Sequence, residues 1–385
     1  MAKDQDFDDA STNKRRIKAY KIFIVLVTII ICQTICLIWL LHRHNANNPD
    51  NRFGLASAPF KNIVQEAFPT VDFSKVYPDL GPAEIDQLQR ECFSIRYAYS
   101  PFVQFEPVPV KKRFIEITQA GYRKGLKDQP WPPQKEDLVI FVFGGSTTFC
   151  YGLSNKETVV SLLEKRLNQL FKDRNVRCYN FGRGYYFSTQ ERILFEQLLM
   201  KGFVPEIAVF IDGLNDYYYV DGKPQLTSVL YQHTGRESPH PEPTEATRAM
   251  AVQTILDRYR QNLRIIEGVS KEFKIIPVFV GQPVPFSEFS RNPQTFPFPS
   301  AFPGHELCQW GYSKFKEAAK RGEFGRHFIW CGDAFSQATS IMYADSIHYS
   351  YNGAKLLVDA IIRKVMKKGL LEAFFKDLPP HRDVD

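Results

Sequence analysis

The chain has 385 residues, 44% of them hydrophobic and 14% aromatic, enough to bury a large core and too apolar for wholesale disorder. Its formal charge is +7, of which residues 1–44 supply +3 (seven Lys/Arg against four Asp/Glu) and the rest only +4. That near-neutral remainder excludes a nucleic-acid footprint, so no nucleic-acid partner is expected.

Residues 1–21 read as a polar, basic stub on the cytoplasmic side. Residues 22–41, IFIVLVTIIICQTICLIWLL, are twenty residues without a charge, long enough for the hydrocarbon core of a bilayer. Lys14, Arg15, Arg16, Lys18 and Lys21 precede the run and only Arg43 follows it closely. The positive-inside rule then puts the N-terminus in the cytoplasm and the bulk of the chain outside. A cleaved signal peptide is the competing reading, but the run is long for one and HRHNANN offers no A-x-A site. An Asn-rich linker follows at 42–57. Residues 58–136 hold many aromatics and prolines without clean periodicity and read as an extension packed on the main domain.

From 137 to 372 the pattern becomes an α/β alternation. LVIFVF (138–143), VRCYNF (176–181), EIAVFID (206–212), KIIPVFVG (274–281) and HFIWCGD (327–333) are short apolar runs suited to buried parallel strands. Between and after them, 156–171, 188–202, a stretch around 250–270 and 351–369 carry apolar residues at helical spacing. Ser188 with Glu191 three residues on has capping-box spacing. The expected fold is α/β: a three-layer, flavodoxin-like sandwich on a mainly parallel five-stranded sheet, plus one N-terminal transmembrane helix. In such sheets ligands bind beyond the carboxyl ends of the strands. GGST, GLND and GQP (281–283) all fall there. Two segments break the pattern: 221–249, and 283–304 with five phenylalanines and six prolines. The second reads as a lid or pocket wall or, from its proline content, as a linker. Residues 373–385 read as a tail.

Seven cysteines include no C-x-x-C, so no zinc or redox motif is present and no metal or organic cofactor is expected. Cys308 and Cys331 flank one irregular region and are a candidate pair in an oxidising compartment.

Four blocks carry chemistry: GGST (144–147), NFGRGYYFS (180–188), GLND (213–216) and DSIHYS (345–350). A serine hydroxyl needs a base to become a nucleophile, and an imidazole oriented by a carboxylate supplies one near neutral pH. Each residue also has a plainer reading: Ser146 as a helix cap, Asn215 in an Asx turn, His348 as a surface histidine. Asp212 and Asp216 read as turn or capping residues. His233, His240, His305 and His327 read as loop residues. Tyr217, Tyr218 and Tyr219 read equally as pocket lining or packing.

In this order and context the blocks resemble those of the SGNH/GDSL hydrolase superfamily, over about 138–370. The resemblance implies a membrane-anchored bacterial ester hydrolase with Ser146 as nucleophile, Asp345 and His348 as the D-x-x-H pair, and Asn215 in the oxyanion hole. The usual GDSL aspartate is Gly145 here. The family glycine of the second block falls at Tyr185, with Gly184 one residue earlier, and either amide can be the donor. The implied substrate is an acyl ester, short-chain or O-acetyl, of an envelope glycan or lipid. An O-acyltransferase using the same residues and a non-catalytic envelope binding protein are the alternatives.

Overall fold

The computed structural model describes residues 63–126, 128–172, 174–220, 222, 244–286, 294–299 and 305–371. The expected stub, membrane span, linker and tail, together with His233 and His240, lie outside the described residues. Among the described ones, no helix is long and apolar enough to cross a membrane.

The chain enters through three short helices, α1 (Ile63–Ala67), α2 (Phe73–Val76) and α3 (Pro82–Phe93). Two antiparallel hairpins follow, β1 (Tyr97–Ser100) with β2 (Gln104–Pro107), and β3 (Val110–Lys111) with β4 (Glu116–Ile117). α3 begins where its sequence allows. Pro82 stands in the first turn, where no amide hydrogen is needed, and Glu84 reaches back to the Gly81 amide at 3.3 Å. Ile85, Leu88 and Cys92 then recur on one buried face.

The alternation that follows is β5 (Leu138–Gly144), α4 (Ser146–Phe149), α5 (Val159–Leu170), β6 (Val176–Asn180), α6 (Ser188–Met200), β7 (Ile207–Asp212), α7 (Arg248–Glu272), β8 (Ile276–Gly281), α8 (Glu306–Lys320), β9 (Phe328–Trp330) and α9 (Tyr351–Lys367). The five central strands are all parallel, in the order β6-β5-β7-β8-β9. That is the doubly wound order, with its switch point between β5 and β7. All seven residues of β5 are buried. Leu138, Ile140 and Val142 face a core shared with α5 and α9, while Val139, Phe141 and Phe143 face a second core shared with α6, α7 and α8. The two-residue side-chain period thus divides one apolar run between two helical layers. On the second face Phe143 stacks on Phe210 at 4.9 Å, and Phe210 meets Phe279 at 5.7 Å.

The extension is built into both cores. Val64, Phe73, Ile85 and Leu88 belong to the first, and Val103, Phe105 and Tyr122 to the second. Arg123 fastens it beside the sheet. Its amide donates to Asn180 O at 2.9 Å, and its buried guanidinium donates to Phe149 O at 2.6 Å, to Cys150 O at 2.9 Å and to Leu153 O. Those three carbonyls belong to the turn that follows GGST. Of the phenylalanine- and proline-rich segment, Phe296 and Phe298 are buried, Phe298 against Phe68 at 5.1 Å and Phe296 against Tyr343 at 5.3 Å. This described piece is core packing.

Two expectations are corrected. Cys308 and Cys331 are both free thiols. Cys308 lies in the core on the α8 side and Cys331 in the core on the α9 side, so the sheet separates them. Ser188 does not cap α6, whose N-cap residue is Phe187. The Ser188 hydroxyl instead donates to Asp216 Oδ1 at 2.5 Å. Glu191 is drawn inward as well. Both its oxygens are buried without a donor and they face the Asp212 carboxyl. Two carboxylates can bond only if one keeps its proton. Burial, reinforced for each by neighbouring carboxylates, holds Glu191 and Asp212 well above the ordinary range. Asp216 is raised by burial too, against the opposing pull of Arg258 and Ser188.

Folded-state pKa values raised in this way stabilise the protein below the unfolded carboxylate pKa of about 4 and lose that stabilisation as pH rises through the folded values. Melting temperature should therefore fall as the pH is raised above this range. Glu191→Gln, which keeps a donor toward Asp212, should flatten that slope and stabilise the fold at pH 8 by about 1–3 kcal/mol. Thermal melts of both chains across pH check this. Arg123→Met should cost about 3 kcal/mol or more in urea unfolding, because three buried carbonyls lose charge-assisted donors.

Candidate active site

The blocks singled out in the sequence lie at the carboxyl ends of β5, β6 and β7 and before α9. β5 ends at Gly144, whose φ of +159° is extended, and Gly145 carries the chain into α4 with Ser146 as its first residue. Neither glycine has room for a side chain. A Cβ at 144 would overlap Thr148, and one at 145 would overlap Asn215 Nδ2. Ser146 is half-buried, and α4 is a single turn, closed by Cys150 in the left-handed conformation at φ +64°.

The loop after β6 runs alongside this turn. Arg183 N donates to Gly144 O at 2.9 Å, and Asn180 Nδ2 to Thr148 O at 3.1 Å. Gly184 and Tyr185 then divide two properties that favour glycine, space and a left-handed backbone. Gly184 is glycine for space, because a Cβ there would overlap the Tyr97 hydroxyl and crowd that of Tyr151 at 2.7 Å. Tyr185 has the left-handed backbone, φ +65°, in which a residue with a Cβ is strained. Its amide donates to no backbone carbonyl among the described residues.

After β7, Asn215 opens a 3-10 turn, Asn215–Tyr217. Its Nδ2 donates to Tyr186 O at 2.7 Å, which occupies one of the two amide hydrogens and leaves the other free. Asp216, next in the chain, is buried and accepts from Ser188. Tyr217 is buried and donates to Gly311 O at 3.0 Å, Tyr219 is buried, and Tyr218 stands at the surface. These aromatics are mainly packing.

Asp345 and His348 form a closed loop before α9. Asp345 Oδ2 meets His348 Nδ1 at 2.7 Å, while Oδ1 accepts the amides of Ile347 and His348, both at 2.7 Å. Burial alone would raise this carboxyl, but the charge of His348 and the three hydrogen bonds outweigh it and hold the group below its ordinary value. The Asp345 contact with Nδ1 leaves Nε2 as the nitrogen available for other work.

Two hydrogen bonds link the serine and histidine segments. Thr147 Oγ1 donates to Gln282 Oε1 at 3.2 Å, and Tyr349 Oη donates to Pro283 O at 2.8 Å. The neighbours of Ser146 and His348 are thus fastened to adjacent residues after β8. The Ser146 hydroxyl is not hydrogen-bonded to His348; such contacts are commonly long until substrate is bound.

Sequence reasoning passed over several residues at this site. The His348 ring lies 5.2 Å from Tyr151 and 5.9 Å from Phe93, and these two rings stack at 5.2 Å. Tyr97 shares a 2.5 Å hydrogen bond with Tyr151. Phe93 and Tyr97 come from the extension, where no periodicity marks them. His305, read as a loop residue, is the N-cap residue of α8 and lies near Tyr218 and Phe286, at 6.1 and 6.3 Å between rings. Burial holds its pKa down, and the charge of His348 adds to that. His327 is away from the site, bonded to Glu267 at 2.8 Å. Among the described residues no cluster of His, Cys, Asp or Glu has the arrangement of a metal site.

No family model matches this chain, and no curated protein matches it. Among solved structures it is similar to a lipase from a goat rumen metagenome, at 14% identity over 60% of this chain and 98% of that one, with a TM-score of 0.40. It is similar to a putative GDSL-like lipase from Parabacteroides merdae, at 17% identity over 63% and 100%, with a TM-score of 0.35. It is also similar to an acetyl xylan esterase from Geobacillus stearothermophilus, at 16% identity over 59% and 94%, with a TM-score of 0.38. TM-scores this low leave the functional reading to the residues themselves.

Proposed function

We propose that this chain is a serine ester hydrolase of the SGNH type, with Ser146 as nucleophile, His348 as general base and acid, and Asp345 as the carboxylate that orients the imidazole. The observation that carries the reading is the buried Asp345–His348 pair, 2.7 Å between Oδ2 and Nδ1, on a loop fastened beside the Ser146 turn.

Ser146 Oγ attacks the ester carbonyl carbon while His348 Nε2 takes the hydroxyl proton. The carbonyl oxygen becomes an oxyanion, facing the Ser146 amide, the Tyr185 amide and the free hydrogen of Asn215 Nδ2. Tyr185 is taken as the second donor because it stands at the position of the family glycine in the second block. The intermediate collapses, the carbon–oxygen bond to the alcohol breaks, and His348 returns its proton to the departing alkoxide. Water then attacks the acyl–Ser146 ester through the same base, releasing the acid and restoring the serine. Asp345, held ionised, stabilises the imidazolium formed twice in the cycle. No step calls for a metal or organic cofactor.

The apolar run at 22–41 and its basic N-terminal flank support an anchored protein with its catalytic domain outside the cytoplasm. On that reading the substrate is an acyl ester, short-chain or O-acetyl, of an envelope glycan or lipid.

The full chain, purified in detergent, should label with a fluorophosphonate probe and hydrolyse p-nitrophenyl acetate, and Ser146→Ala should abolish both. Labelling that persists in Ser146→Ala, or a folded wild-type chain that neither labels nor turns over, would sink the proposal. Asp345→Asn should lower kcat by on the order of 10³–10⁴, through loss of imidazolium stabilisation and of the correct tautomer. Asn215→Ala should lower kcat by about 10²–10³ with a smaller change in KM, as loss of one oxyanion donor requires.

A further inference from the structure

Tyr185 is a large aromatic residue in a conformation that favours glycine. Its φ is +65°, and its side chain is 55% exposed. A left-handed backbone is strained for a residue with a Cβ, and an exposed ring recovers little of that by burial. Strain of this kind is retained where the surroundings use it.

The surroundings are the histidine side of the site. Gly184, one residue earlier, packs against the hydroxyls of Tyr97 and Tyr151. Tyr151 lies 5.2 Å from the His348 ring and stacks on Phe93, which is itself 5.9 Å from His348. Tyr185 follows Gly184 directly, so its backbone stands next to the Tyr97 and Tyr151 hydroxyls. His348 is the group that returns a proton to the departing alcohol, so this aromatic cluster borders the alcohol rather than the acyl chain. Aromatic rings offer broad apolar faces at low conformational cost, suited to the flat face of another ring.

We propose that Tyr185, with Phe93 and Tyr151, forms a leaving-group subsite that selects esters of cyclic alcohols, such as sugar or other alicyclic rings, over esters of open-chain alcohols. The inference rests on the ester-hydrolase reading. It makes specificity for the alcohol a property of the second-block loop and of the N-terminal extension together.

The test holds the acyl group constant. The full-length wild-type chain in detergent is assayed on cyclohexyl acetate and on ethyl acetate, whose alcohols have similar acidity, and the ratio of the two kcat/KM values is recorded. Wild type should favour the cyclohexyl ester. Tyr185→Gly should lower the ratio about 3–10-fold while raising the melting temperature, since it relieves the left-handed strain. Reading a ratio cancels any effect on the Tyr185 amide, which both esters share. Tyr185→Phe should keep the ratio. Phe93→Ala, which removes no oxyanion donor, should lower it independently. A ratio unchanged in both Tyr185→Gly and Phe93→Ala overturns the proposal, as does a wild-type chain that turns over both esters without preference. Failure of the wild-type chain to hydrolyse either ester or to label with the fluorophosphonate probe would instead remove the ester reading, and this inference with it.

Discussion

The hydrogen bond from Asn215 Nδ2 to Tyr186 O, 2.7 Å long, passes over Gly145 and joins the ends of three neighbouring strands. Asn215 follows β7, Tyr186 follows β6, and Gly145 follows β5. The three ends can meet only because residue 145 has no side chain. Around this bond the chain is zipped in short steps. Phe181 N donates to Val142 O at 2.8 Å, Arg183 N to Gly144 O at 2.9 Å, and Asn180 Nδ2 to Thr148 O at 3.1 Å. Gly182 lies against the backbone of Thr148 and Phe149, where a Cβ would overlap both. The serine turn is therefore a fixed object, held by the backbone of the loop after β6 and by the side chains of Asn180 and Arg123. In the proposed mechanism, donors fixed in this way before reaction need no reorganisation during it, which is where oxyanion stabilisation gains its size.

The histidine loop is fixed by different means. Ser350 caps α9, accepting from Gly353 N at 3.2 Å while its own hydroxyl donates to Ile341 O at 2.6 Å. Ala344 N donates to His348 O at 2.7 Å, and Ser350 N to Met342 O at 2.9 Å. These bonds fold 341–350 back on itself, so the three-residue spacing of Asp345 and His348 places the carboxylate against Nδ1. Attachment to the rest of the site runs through Tyr349 to Pro283, and from Gln282 to Thr147. A helix cap and two side-chain bonds thus set the position of the His348 imidazole relative to the turn that bears the serine.

Much of this could be read from the sequence, for identifiable reasons. The central strands are buried on both faces, so they appear as uninterrupted apolar runs, and β5 was legible to within a residue of its end. The Asp345–His348 pair was legible because its geometry is local. What escaped is long-range. Ser188 and Glu191 have capping-box spacing, yet a buried tertiary bond to Asp216 and contact with Asp212 take both side chains away from the helix end. Cys308 and Cys331 are near neighbours in sequence, but strand β9 places them on opposite faces of the sheet. Phe93 and Tyr97 reach His348 and Tyr151 from a segment whose aromatics follow no period, so only the folded chain brings them there. The left-handed backbone of Tyr185 left no mark in residue type, since a glycine adjoins it and invites the assignment instead.

Some of the costs in this fold lie close to the site. Tyr185 carries backbone strain in the loop after β6. Asp212 and Asp216 flank the Gly213–Asn215 turn, and with Glu191 they bury three carboxyls behind the residue proposed to bind the oxyanion. Neither feature is needed for the sheet, which is complete in its apolar faces. A buried carboxyl group that keeps its proton can donate, and one that has lost it can accept from Ser188 or pair with Arg258, 3.9 Å from Asp216. The cluster therefore holds the turn through polar bonds that have a direction, which apolar packing lacks. Arg258 also donates to Asp216 O at 2.7 Å and to Val220 O at 3.0 Å, extending that hold past the 3-10 turn. The large cores on the two faces of the sheet offset the expense, and the gain is a fixed Asn215 amide beside Ser146.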